Sequence, residues 1–119
     1  MTLRNAAAPV ALLLAALAFA GTAVAGPKGS AAAGKGKAVA CAACHGADGN
    51  KTVDNNHPKL AGQYPDYLVK ALAEYRSGKR KNAIMGAQAK GLSDKDIADL
   101  AAYYGSLRAD VHDMSGHAE

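Results

Sequence analysis

Large apolar side chains are scarce in this sequence, and that scarcity limits what it can fold into. With the first 25 residues set aside for the reasons below, five tyrosines are its only aromatic residues; tryptophan is absent and the single phenylalanine, Phe19, lies in the stretch set aside. A domain of this size buries about 60–70% of the surface its unfolded chain exposes, and hydrophobic stabilisation follows the apolar area buried. The fold is therefore expected to be marginal unless a large apolar body sits inside it.

Half of the 119 residues are hydrophobic, 20% are charged, and low-complexity blocks are confined to one end. A wholly disordered or collagen-like chain is thereby excluded. The two cysteines, Cys41 and Cys44, lie too close together to staple a framework, so a disulfide scaffold is excluded as well. Arg4, the apolar run from Val10 to Ala20 and the small residues Ala23-Val24-Ala25 have the order of an export signal cleaved after residue 25. The run is far shorter than the roughly 20 residues a membrane-spanning helix needs, so cleavage is expected rather than anchorage. Losing Arg4 lowers the formal charge from +4 to +3. The remainder reads as one domain over 26–109 with a polar tail over 110–119 that is expected to be disordered.

Three helices are predicted. Ala31 to Ala43 is alanine-rich, although Gly34 and Gly36 weaken it and point to close approach of another helix. A second helix starts at Pro65, with Asp66 in its first turn and Leu68, Leu72 and Tyr75 at helical spacing before Gly78. The third is capped by Ser93 with Asp96 three residues on, and carries Ile97, Leu100, Ala101, Tyr104 and Leu107 as one apolar stripe. No alternating strand pattern or internal repeat is found, so the class is all-α. Two long connections, Gly46–Gln63 and Lys79–Leu92, are the expected carriers of function.

At the end of the first helix lies Cys41-Ala42-Ala43-Cys44-His45, the C-x-x-C-H pattern of c-type haem attachment. Two thiols at this spacing reach the two vinyl groups of one porphyrin, and the next residue swings its imidazole under the iron. Three other readings are weaker. A thioredoxin-like redox pair wants a βαβ setting, a zinc site wants two more ligands at motif spacing, and a Cys41–Cys44 disulfide closes too short a loop to stabilise much. Haem iron has a second axial position, and a His/Met pair suits electron transfer. Met85 inside the second long connection is favoured for it over Met114 in the polar tail.

These features together resemble class I cytochromes c, of the small bacterial periplasmic monohaem type related to the c-four and c-five groups. The resemblance rests on C-A-A-C-H-G at 41–46, P-K-L-A-G-Q at 58–63, the Met85 segment and the closing helix from Leu92-Ser93 to Tyr103-Tyr104. It implies three main helices around one haem c, thioethers at Cys41 and Cys44, and axial ligation by His45 and Met85. It also implies that the Pro58 carbonyl accepts a hydrogen bond from the His45 ring. The first and last helices would cross where Gly34 or Gly36 admits Tyr103 or Tyr104. Leu60, Leu68, Leu72, Ile84, Leu100 and the tyrosines would wall the pocket, with Tyr64 or Tyr67 the candidate donor to a haem propionate or to the methionine sulfur. His57 is expected to be a solvent-exposed imidazole beside Pro58.

An iron with six strong ligands has no vacancy for substrate, so the expected role is a periplasmic one-electron carrier of fairly high potential, not an enzyme. The alternative is the haem c subunit of a periplasmic oxidoreductase, and a ligand-binding haem protein would need Met85 to be displaced easily. Lys79-Arg80-Lys81 is read as a basic patch near the haem edge that steers the protein to redox partners with acidic docking surfaces. No nucleic-acid partner and no stable membrane anchor are expected, and the chain is expected to act as a monomer.

Overall fold

The computed structural model describes residues 25–110. Residues 1–24, which hold nearly all of the expected export signal, and residues 111–119, with His112, Met114 and His117, lie outside the described residues. Five helices follow in order, α1 Ala31–Lys37, α2 Val39–His45, α3 Pro65–Ser77, α4 Ala83–Ala89 and α5 Asp94–Ser106. No strand occurs among the described residues.

The two helices with clear end signals form as those signals dictate. Pro65 occupies the first turn of α3, where its missing N–H costs nothing, and Gly78 ends the helix at φ 77°, a left-handed conformation that favours glycine. Ser93 caps α5 by accepting from the Asp96 N–H, while the Asp96 carboxylate accepts from the Ser93 N–H, a reciprocal capping box. Ile97, Leu100, Ala101 and Tyr104 are buried along one face of α5.

Two expectations are corrected. The predicted first helix is two short ones, with a turn at Ala38 between them, although the Ala38 and Ala42 N–H groups still reach back to Gly34 and Ala38. The connection that carries Met85 is not irregular: it holds α4, whose first turn is capped by Asn82, its side-chain oxygen accepting from the Met85 N–H at 2.9 Å.

α5 is the axis of the packing, with α1 against one side and α3 against another, while α4 rests on α3. The α1–α5 crossing is tight. A Cβ on Gly34 would lie 2.0 Å from the Asp99 carbonyl oxygen and 2.7 Å from the Tyr103 Cβ, whereas one on Gly36 would meet open space. Gly34 is thus the crossing glycine and Tyr103 the residue it admits. The crossing is pinned by Asp99, whose buried carboxylate accepts from the Ser30 N–H at 2.7 Å and the Lys37 ammonium at 2.7 Å, and pairs with Lys95. Lys37 also reaches Asp96 at 2.6 Å.

The protein-only core is thin. Five of its nine buried hydrophobic residues are alanines, and only Leu68, Ile97, Leu100 and Tyr104 are large. The remaining leucines of the interior, among them Leu60, Leu72 and Leu92, are partly exposed.

Gly34→Ala is expected to cost about 2 kcal/mol or more by overpacking, while Gly36→Ala at an open helical site is expected to gain about 0.5–1 kcal/mol; denaturant unfolding of both variants checks the contrast. The Lys37 ammonium and backbone donors hold the Asp96 and Asp99 carboxyls well below their ordinary value of 3.8. Their contribution to stability is therefore complete above that range and is lost as pH falls through the folded-state values. Asp99→Asn is expected to lower the unfolding midpoint at pH 7, with the gap to the parent narrowing in acid below about pH 4.

Candidate haem site

α2 carries the motif. Its last residue is His45, and Gly46 follows at φ 85° with its α-carbon so close to the next turn that a Cβ would lie 2.3 Å from the Lys51 carbonyl oxygen. The chain therefore turns sharply after the imidazole, and the segment that follows is drawn back against the helix, the Val53 N–H donating to the Cys44 carbonyl at 2.9 Å. That return brings Pro58 beside His45.

The imidazole is buried, 5% exposed, and its Nδ1 lies 2.8 Å from the Pro58 carbonyl oxygen. A carbonyl only accepts, so Nδ1 carries the hydrogen and the lone pair of the neutral ring is on Nε2. This is the tautomer a metal ligand needs.

Cys41, Cys44, His45, Pro58 and Met85 all line one cavity of about 460 Å³, which α2, α3, α4 and α5 enclose. All five residues singled out in the sequence are thus brought to one place. The predicted wall is there too, since Leu60, Leu68, Leu72, Ile84 and Leu100 face the same space, joined by Leu92 and Ala101. Leu60, Leu72 and Leu92, which the core leaves partly exposed, all line it.

The tyrosines separate. Tyr67, Tyr75 and Tyr104 line the cavity. Tyr64 is 75% exposed and does not, because it precedes α3 with an extended backbone and so falls outside the helical register. The Tyr104 hydroxyl is buried with no hydrogen-bond partner among the described residues. Burial, with Cys41 alongside, pushes that phenol above its ordinary range, and burial likewise raises the Cys41 thiol.

His57 differs from expectation. It is half-buried, its Nδ1 is 2.7 Å from the Asp54 carboxylate, and its ring stands edge-on to that of His45 with centroids 6.2 Å apart. The Lys79-Arg80-Lys81 triplet is also not a uniform patch. Lys79 lies 3.8 Å from Glu74, Lys81 is exposed, and Arg80 folds inward to the cavity wall.

Residues that the sequence did not single out include Asn82, which caps the helix bearing Met85, and Asp54, which holds His57. An asparagine immediately before Ala-Ile-Met-Gly-Ala-Gln-Ala is a capping signal that could have located α4. Among the described residues, no group of three or more His, Cys, Asp and Glu side chains gathers to hold a metal ion.

An apolar cavity walled by leucines, with two thiols, a thioether and an imidazole of defined tautomer on its surface, has the donor set and lining that haem c requires. The cytochrome c family model matches residues 29–108. The chain belongs to the cytochrome c family. Members of this family bind haem covalently and carry electrons. The chain is 48% identical over 90 residues to cytochrome c4 of Pseudomonas aeruginosa, covering 76% of this chain and 44% of that protein. It is 49% identical over 81 residues to cytochrome c-554(548) of Halomonas halodenitrificans, covering 66% of this chain and 96% of that one. A further relative, 36% identical, is the cytochrome subunit of sulfide dehydrogenase of Chlorobaculum tepidum, with 62% and 66% of the two chains covered. Among solved structures, reduced cytochrome c4 from Pseudomonas stutzeri superposes with a TM-score of 0.65 at 42% identity, covering 70% of this chain and 48% of that one. The chain thus spans about half the length of the cytochrome c4 relatives it matches.

Asn82→Ala is expected to destabilise the protein by about 1 kcal/mol through loss of the cap. The Met85 amide should then exchange its hydrogen faster than in the parent, which hydrogen-exchange measurements can read directly.

Proposed function

We propose that this cytochrome c is an exported, periplasmic one-electron carrier that holds a single haem c with His45 and Met85 as axial ligands. The observation that carries the reading is the Pro58 carbonyl on Nδ1 of His45, which leaves Nε2 aimed for coordination on the wall of a cavity that also presents Cys41, Cys44 and Met85. In the exported form residues 1–25 are removed, the domain is 26–109 and the tail is 110–119. When bound, the haem supplies a reversible one-electron couple at iron.

The chain's own residues do the rest. Cys41 and Cys44 would anchor the macrocycle by thioethers at the end of α2. Pro58 holds the His45 ring in one tautomer and orientation, so the ligand needs no rearrangement between oxidation states. Asn82 fixes the start of α4 and with it the position of Met85. The leucine wall excludes water and lowers the local dielectric, which disfavours the extra charge of the ferric state and raises the potential. With His45 and Met85 both holding the iron, no coordination position would be open to substrate, which suits a carrier rather than an enzyme.

The partner surface would be acidic. Lys59 and Lys81 are exposed without carboxylate partners among the described residues, and with Arg4 removed the formal charge of the exported chain is +3. A loose, charge-steered encounter suits a protein that must release its partner quickly. A second reading, a haem c subunit of a periplasmic oxidoreductase, is favoured by the relative named as the cytochrome subunit of sulfide dehydrogenase. Stable co-purification with a catalytic chain would support it over a free carrier.

The ferric protein, matured with haem, is expected to show a sulfur-to-iron charge-transfer band that Met85→Ala abolishes and Met114→Ala leaves intact. The ferrous protein should bind carbon monoxide poorly at neutral pH, and Met85→Ala should bind it readily. Persistence of the band in Met85→Ala, or ready carbon monoxide binding by the parent, would contradict the ligand assignment.

A further inference from the structure

Tyr104 is 3% exposed, and its hydroxyl is a buried polar atom without a hydrogen-bond partner among the described residues. A buried hydroxyl left unmet is destabilising, and native folds rarely keep one. The ring is not free to swing out to water. The Tyr104 carbonyl accepts from the Gly62 N–H at 2.9 Å, the ring Cδ1 would lie 3.2 Å from a Cβ on Gly49, and the Tyr103 ring stands beside it with centroids 5.1 Å apart.

Several polar groups of the cavity wall are committed elsewhere. Nδ1 of His45 faces Pro58, the Asn82 oxygen takes the Met85 N–H, the Gln63 oxygen takes the Tyr64 N–H, and Arg80 donates to Tyr67. Cys41 is closer at hand. Its side chain packs against the buried cluster of Ala38, Leu68, Leu100, Ala101 and Tyr104, while Cys44 lies outside that cluster, so the two sulfurs of the motif are not equivalent. Burial keeps both the Cys41 thiol and the Tyr104 phenol protonated. Between a thiol and a phenol either group can donate. A thioether sulfur has no hydrogen and only accepts, so a pairing with the phenol then runs in one direction, from O–H to sulfur.

We infer that, in the haem-loaded protein, the Tyr104 hydroxyl donates a hydrogen bond to the Cys41 sulfur and thereby ties one edge of the macrocycle to α5. This rests on the haem reading above. Tyr104 is a positioning residue, since it acts on the haem through the Cys41 sulfur. Attachment at Cys41 turns an unmet hydroxyl into a bonded one, so forming that thioether also strengthens the contact between α2 and α5.

The test uses the full chain matured with haem, as the parent, Tyr104→Phe and, as a control, Tyr103→Phe. A visible spectrum comes first, since a colourless parent defeats the haem reading rather than this one. Proton NMR of the ferrous parent is expected to show a slowly exchanging phenol hydroxyl with cross-peaks to the Cys41 β-protons. That resonance should persist in Tyr103→Phe and be lost in Tyr104→Phe, where the Cys41 β-protons shift and those of Cys44 do not. Denaturant unfolding separates a bonded hydroxyl from an unmet one: removing the first lowers the midpoint of the haem-loaded protein, and removing the second raises it. A coloured parent whose Tyr104 hydroxyl shows no contact with Cys41 overturns the inference, as does Tyr104→Phe with a raised midpoint and parental Cys41 shifts. If Tyr104→Phe does not accumulate, the presence or absence of the cross-peaks in the parent and Tyr103→Phe decides it.

Discussion

The large apolar side chains of this protein face a common hollow more than they face one another. Leu60, Leu68, Leu72, Leu92, Leu100 and Ile84 come from three helices and two connections, yet all line the cavity that holds Cys41 and His45. The rest of the interior is largely alanine. Hydrophobic stabilisation scales with apolar area removed from water, so much of what this fold can gain depends on whatever fills that space. Folding and haem binding are in this sense one problem, and the scarcity of aromatic residues in the sequence is its signature.

Around the hollow, the frame is held by polar and steric contacts that do not involve it. Gly34 allows α1 to approach the backbone of α5, and the Asp99 carboxylate then ties Ser30, Lys37 and Lys95 together at the crossing. Arg76 reaches from α3 to the Leu92 carbonyl and to Asp94, bracing the start of α5. These contacts set the angle between helices, and hence the walls of the cavity, independently of the small core. The Pro58–His45 hydrogen bond works at shorter range, fixing one ring atom where the larger frame fixes only elements.

Much of this was legible in the sequence, for identifiable reasons. Pro65 and Gly78 bound α3, and the Ser93–Asp96 box starts α5, because end effects are local and need no knowledge of the fold. The motif at 41–45 and the singled-out Pro58 and Met85 also meet at one cavity. What escaped depends on tertiary placement. α4 has seven residues, too few to be stable alone, so its formation relies on Asn82 and on packing against α3. The choice between Gly34 and Gly36 turns on which face of α1 meets α5, and the choice between Tyr64 and Tyr67 on where helical register begins. Arg80 read as part of a surface charge run because nothing in its neighbours announces that the chain, leaving Gly78, returns it to Tyr67 and Tyr75.

The central claim is that one porphyrin is bonded covalently to the helix bearing Cys41 and Cys44. Mass spectrometry of the protein exported from a host that attaches haem, followed by digestion and identification of the peptide spanning these cysteines, tests it most directly. This peptide alone is expected to be heavier by one haem, and both thiols are expected to resist alkylation. A peptide of unmodified mass with two free thiols, or with the two cysteines joined to each other, would contradict it.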